Sequence, residues 1–259
     1  MFPWPSADFS LFLLIAARVL ALVETAPLLS GDGVPQVAKV GLVGFAAVAI
    51  FPTVKAAGYP IPADGGAYAL LLVGEGMIGV IMGFFLTTLF SAFSMAGEFY
   101  SLQIGFGASE TFDPLSEIEI PVMGQFLNLI AMFVFVATQG FQKLFLLGVQ
   151  GSFKAMRAID LVARKDDLVQ FMIRQTGALF VQALVLSLPI LGTLFIITIA
   201  LGLFSKAAPQ MNLLTEGFPI SLLVTFTIMV AALPLMMEAF SRLISAGFDD
   251  LARLVGGAL

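Results

Sequence analysis

Four stretches of the chain run for about 20 residues or more without a charged side chain: Gly76–Gly97, Ile120–Gln142, Gln175–Ser205 and Gly217–Met237. Each is long enough to cross a bilayer as a helix. Two weaker apolar stretches precede them. Phe9–Leu29 is interrupted by Arg18 and Glu24, and Val37–Ala57 carries Lys39 and Lys55 near its ends. The pattern predicts an all-α membrane protein of about six long, bent hydrophobic helices arranged in hairpins.

The stretches do not fit simple spans. Gln175–Ser205 as one helix would be roughly 45 Å long, against a hydrocarbon core of ~30 Å. Pro189 should bend it, and Pro52, Pro114, Pro121, Pro219 and Pro234 should mark further bends or ends. Glycine is frequent inside the apolar runs. Gly79 and Gly83 form a GxxxG, which lets another helix backbone approach closely. Packing within the chain is the simpler reading of that motif.

Composition agrees with the pattern. Of 259 residues, 59% are hydrophobic and only 11% charged, where a soluble domain has about a quarter charged. The net charge of −5 argues against nucleic acid, which needs a basic stripe. The absence of cysteine and histidine removes thiol nucleophiles, thiolate metal sites and the most common general base. No enzyme, cofactor or metal site is expected. The apolar start lacks a basic leader and is read as structure, not as a cleaved signal.

Charge in the connecting segments is uneven. Glu98 to Pro121 holds Glu98, Glu110, Asp113, Glu117 and Glu119 and no base. Ser152 to Gln175 holds Lys154, Arg157, Arg164, Lys165 and Arg174 against three acids. The latter reads as a short amphipathic helix, and charge bias alone would place it in the cytoplasm.

Three sets of residues could carry function. Gly105 to Phe126, GFGASETFDPLSEIEIPVMGQF, is either a solvated connection or a loop folded back into a wet cavity, where irregular backbone is tolerated at membrane depth. The polar break around Pro209, Gln210, Asn212, Gly217, Phe218 and Pro219 is either a plain hairpin turn or a tip that contacts other subunits, with Gly217-Phe218-Pro219 restarting the chain. Arg18, Glu24, Glu75, Glu98 and Glu238 lie within or beside apolar runs, where charges pair or line a wet path. Arg18 and Glu24 are not on one helical face, so their partners lie elsewhere. Glu98 and Glu238 suit a membrane surface. Glu75 lies deeper, in a glycine-rich apolar run, and is the stronger candidate.

The order of RVLALVETAPLLSGDGVP, AGEFYSLQIGF, FDP, PVMGQFLNLIAMFVFVATQG, LSLPILG and APQMN…GFP resembles the FliR family, the R-type subunits of the flagellar type III export gate. The resemblance covers nearly the whole chain, from Arg18 to Pro234. It implies a bacterial inner-membrane protein at the flagellar basal body, partly raised toward the periplasm. It implies P-type and Q-type subunits as partners around a pore, with a B-type subunit docked near the last hairpin, membrane lipid outside and unfolded export substrates inside. Residues from about 1 to 150 would be P-type-like, and about 175 to 245 would form a Q-type-like hairpin.

The resemblance also implies that the segment Gly105, Phe106, Gly107, Glu110, Phe112, Asp113, Pro114, Glu117, Glu119 and Pro121 is a plug, more acidic here than such a loop requires. Pro209, Gln210, Asn212, Gly217, Phe218 and Pro219 would form the cytoplasmic hairpin tip. That placement opposes the charge-bias orientation, which holds for helices inserted singly. Two other readings stand beside it: a secondary transporter using Arg18 and Glu75, and the equivalent subunit of a virulence injectisome.

Overall fold

The computed structural model describes residues 6–31, 33–104, 122–161, 163–207 and 213–256. Among them there is helix and no strand. The helices are α1 (Ser6–Thr25), α2 (Pro27–Ser30), α3 (Gln36–Ala56), α4 (Gly65–Ile104), α5 (Val122–Ala137), α6 (Gly140–Lys143), α7 (Gly151–Ala155), α8 (Lys165–Ala207) and α9 (Leu213–Gly256). A π-helical segment, Leu144–Gln150, joins α6 to α7, and a single 3-10 turn, Ala158–Asp160, lies before α8.

Among the described residues four helices, α3, α4, α8 and α9, are long and apolar enough to cross a membrane. The predicted span Ile120–Gln142 is broken. Gln139 takes the left-handed conformation at φ 59°, and the chain turns by 69° between α5 and the helical run Gly140–Lys154. A non-glycine residue there is uncommon. No proline marks this bend.

The prolines inside the described long helices mark no helix end. Pro52, Pro189, Pro219 and Pro234 all lie inside helices that continue through them. A proline removes one backbone hydrogen bond, and side-chain hydroxyls and packed neighbours compensate in apolar helices. The basic segment is also corrected. It is not one short amphipathic helix: α7 ends at Ala155, Met156 and Arg157 are extended, and the residues from Lys165 onward are already the first turns of α8. Asp160 accepts the Arg157 N–H at 3.4 Å, which stabilises the break.

The chain folds as two interleaved units. The first holds residues 1–89, 139–176 and 244–259. Its core is Leu14, Ile15, Val19 and Leu22 of α1, Ala47 and Ile50 of α3, Phe85 and Leu86 of α4, and Phe248 and Leu251 of α9, all buried. Helices α1 and α3 run antiparallel, tied by Lys55–Asp8 at one end and Lys39–Glu24 at the other. The second unit holds residues 90–138 and 177–243. Its core is built on rings: Phe93 meets Phe240 at 4.4 Å between centroids, and Phe90 meets Phe135 at 5.5 Å.

Candidate functional site

Glu75, the stronger candidate among the charges in apolar runs, is fully buried, and so is Arg18. They are each other's partner. Arg18 Nε donates to Glu75 Oε2 at 2.6 Å, and Nη2 lies 2.6 Å from the same oxygen. Arg18 Nη1 donates to Ser152 Oγ at 2.7 Å, and Nη2 to the Met156 carbonyl at 3.0 Å. The guanidinium carbon lies 3.8 Å from the centroid of the Phe153 ring, an arrangement that favours a cation.

Glu75 is equally saturated. Its Oε1 accepts the Tyr59 hydroxyl and the Ala158 N–H, the latter at 3.3 Å. Burial first, and the Glu75 charge second, push the Tyr59 phenol above its ordinary pKa, so it remains a donor. The Ser152 hydroxyl in turn donates a hydrogen bond to the Val149 carbonyl at 2.7 Å, near the end of the π-helical segment. Gly74, next to Glu75, makes room: a Cβ there would lie 2.7 Å from Ala158 Cβ.

The result is one buried node binding α1, the connection before α4, α4 itself and the break after α7. Its chemistry is positional. The Met156 carbonyl and the Ala158 N–H fall at the break between helices, and Arg18 and Glu75 supply their partners. A buried ion pair adds little net stability, but removing one member leaves the other uncompensated, at a cost of about 3–5 kcal/mol.

Two glycine contacts flank this node. A Cβ on Gly79 would strike the Arg18 carbonyl and lie 2.8 Å from Ala21 Cβ, and one on Gly83 would lie 2.6 Å from Thr25 Cβ. The GxxxG face is therefore filled by α1 of the same chain. In the second unit, Gly97 and Gly124 bring α4 and α5 into backbone contact. Sequence reasoning missed that pair, although both lie in the quoted AGEF and MGQF motifs.

Residues 9–247 match the family described as Bacterial export proteins, family 1. The chain belongs to this family. It is 32% identical over 241 residues to the flagellar biosynthetic protein FliR of Escherichia coli (strain K12), covering 92% of this chain and 90% of the relative. It is 26% identical to the Bacillus subtilis (strain 168) protein of the same name over 249 residues, 95% of each. The Borreliella burgdorferi protein of that name is 32% identical over 187 residues, 72% of this chain and 70% of the relative. The chain is thus a membrane subunit of the flagellar export apparatus and not an enzyme.

Several expected site residues lie outside the described residues: Gly105, Phe106, Gly107, Glu110, Phe112, Asp113, Pro114, Glu117, Glu119 and Pro121 of the acidic segment, and Pro209, Gln210 and Asn212 of the hairpin tip. Gly217, Phe218 and Pro219 are described, and they do not restart the chain. α9 has already begun at Leu213, and all three sit inside it. Gly217 faces Leu201 of α8, whose Cδ1 would be 3.5 Å from an added Cβ, an ordinary contact. Glu24, the other charge of α1 named with Arg18, pairs with buried Lys39 at 3.3 Å. Glu238 pairs with Arg242 at 2.5 Å on an exposed turn of α9.

Proposed function

We propose that this chain is a wall subunit of the export gate. With P-type and Q-type subunits it forms the pore through which unfolded substrates cross the inner membrane, and a B-type subunit docks near its last hairpin. Residues from about 1 to 150 form the P-type-like part and about 175 to 245 the Q-type-like hairpin. The acidic segment Gly105–Pro121 acts as a plug, and the break around Gln210 and Asn212 is the cytoplasmic tip. The assembly stands partly raised toward the periplasm.

One observation carries this reading: α8 and α9 are too long and too uncovered for a lone chain in lipid. The chain itself buries only 22% of the most apolar stretch of α8 and 17% of that of α9. The uncharged part of α8 alone is roughly 45 Å long, half as long again as the ~30 Å hydrocarbon core. Phe195, Ile196, Leu203 and Phe204 all stay exposed along it. Apolar surface that lipid cannot reach calls for protein. The saturation of Arg18 and Glu75 by one another also favours a structural wall over a solute carrier, since neither has a free group for an ion.

The test is purification. Expressed with its two smaller membrane partners, the chain is expected to co-purify with both as one stable complex, and to aggregate when expressed by itself. A monodisperse solitary protomer would overturn the wall reading. Separately, removal of Glu110–Glu119 is expected to raise the resting ion leak of the assembled gate; an unchanged leak would remove the plug role alone.

A further inference from the structure

Every charged side chain of α1 is compensated from later in the chain. Asp8 pairs with Lys55 of α3 at 2.7 Å, Glu24 with Lys39 of α3 at 3.3 Å, and Arg18 with Glu75 of α4 at 2.6 Å. The remaining donors of Arg18 go to Ser152 and Met156, which lie 134 and 138 residues downstream. None of these charges finds its partner within α1. Arg18 lies in mid-helix, within the apolar run LFLLIAARVLALV of α1. One face of the helix is covered by protein: Leu11, Leu14, Ile15, Val19, Leu22 and Val23 are buried, while Phe9, Leu13 and Leu20 stay exposed.

An arginine in mid-helix opposes insertion of an isolated helix into a bilayer. The opposition is reduced when the charge is paired with a bonded carboxylate, as here. We infer that α1 does not integrate as an independent span but is held in the membrane by its ion pairs, above all Arg18–Glu75, so that it settles only after α3 and α4 are in place. The N-terminal helix thereby becomes a check on completion: its burial reports that the chain has folded as far as Ala158. This goes beyond the pore reading and does not depend on it, since it concerns one chain's own charges.

The chain has no cysteine, so a single Ala17→Cys substitution in the full chain, co-expressed with its natural partners, gives a clean probe. A thiol reacts with a membrane-impermeant maleimide only where water reaches it. In the otherwise unchanged chain Cys at this site is expected to be protected. Glu75→Leu is expected to remove that protection, because Arg18 is left unpaired. Adding Arg18→Leu to Glu75→Leu is expected to restore it, because α1 then carries no unpaired mid-helix charge. If Glu75→Leu leaves the probe protected, α1 integrates unaided and the inference fails. If the double variant is labelled as strongly as Glu75→Leu, the loss reflects general misfolding and not charge, and the inference fails equally.

Discussion

Gly97 of α4 and Gly124 of α5 touch through their backbones. A Cβ on Gly97 would lie 2.6 Å from Gly124 Cα and 2.5 Å from the Met123 carbonyl oxygen, and one on Gly124 would lie 2.8 Å from the Ser94 carbonyl. Neither side of this contact is a flexible side chain. Gly97→Ala is therefore expected to push the two helices apart, at the typical overpacking cost of about 1–3 kcal/mol. Gly124→Ala, with one close atom in place of three, is expected to cost less. Thermal unfolding of the purified gate complex checks the order: both midpoints fall, Gly97→Ala further. Equal midpoints for Gly97→Ala and the parent protein would mean that the helices are not in contact there.

The buried node predicts a ranking among its members. Glu75→Gln removes the charge that compensates Arg18, so it is expected to cost about 3–5 kcal/mol and to lower the amount of folded chain sharply. Ser152→Ala leaves one Arg18 donor and the Val149 carbonyl without a hydroxyl, and about 1–3 kcal/mol is expected. Tyr59→Phe removes a donor from a carboxylate that keeps Arg18 and the Ala158 N–H, and is expected to be the mildest. Steady-state protein level and export-dependent motility read the series. A Glu75→Gln variant as active and abundant as the parent would remove Glu75 from the functional residues.

Much of this site could be read from the sequence, and the unread part has a physical cause. Helix identity followed from uncharged length, because a run such as Gly217–Met237 has no competing polar pattern. Arg18 and Glu75 stood out because charge is rare in such runs. Their mutual pairing did not, because 57 residues separate them and no local periodicity encodes a tertiary contact. Ser152 and Tyr59 carried no signal, being ordinary polar residues near helix ends. Of the ends or bends expected at proline, Pro219 and Pro234 mark no helix end, since both lie within α9. The real break, at Gln139, was hidden in a Thr-Gln-Gly triplet with no proline.

Tyr59 gives the node a pH dependence. It lies between α3 and α4, and burial together with the Glu75 carboxylate raises its pKa in the folded chain. A raised value means that the folded state holds its proton more tightly than the unfolded state. The stability this contributes is complete below the ordinary tyrosine pKa of about 10 and is lost as pH rises from there toward the folded value. Unfolding midpoints of the parent and of Tyr59→Phe are thus expected to converge as pH climbs above about 10. A gap that widens with alkalinity would contradict the assigned bond.

The glycines of α3 and α4 should respond oppositely to the same change. Gly83 faces Thr25, whose Cβ would be 2.6 Å from an added methyl, and the Thr25 carbonyl is itself bonded by Thr87 at 2.9 Å, so the neighbour cannot retreat. Gly83→Ala is expected to destabilise by about 1–3 kcal/mol. Gly44 has no atom within 4 Å of that position. Gly44→Ala is expected to stabilise the chain by about 0.5–1 kcal/mol through helix propensity. Denaturation of the two variants in one detergent compares them directly. A destabilising Gly44→Ala seen only in the assembled complex would locate a partner helix against that face of α3.

The two lysines of α3 test how far burial decides the worth of an ion pair. Lys55 is 54% exposed where it meets Asp8, whereas Lys39 is 3% exposed and serves both Glu24 and the Ser30 carbonyl, the latter at 3.0 Å. An exposed pair is screened by water and salt and contributes about 0–1 kcal/mol. Lys55→Met is therefore expected to shift stability little, and the shift should vanish near 1 M salt, where the Debye length falls to about 3 Å. Lys39→Met loses a buried donor from a carboxylate and from a helix-end carbonyl together, and is expected to cost about 1.5–3 kcal/mol with little salt dependence. The two variants measured across a salt series separate the cases. If both losses faded with salt alike, the Lys39 contact would be a surface pair, and one of the two ties between α1 and α3 would be weaker than its burial implies.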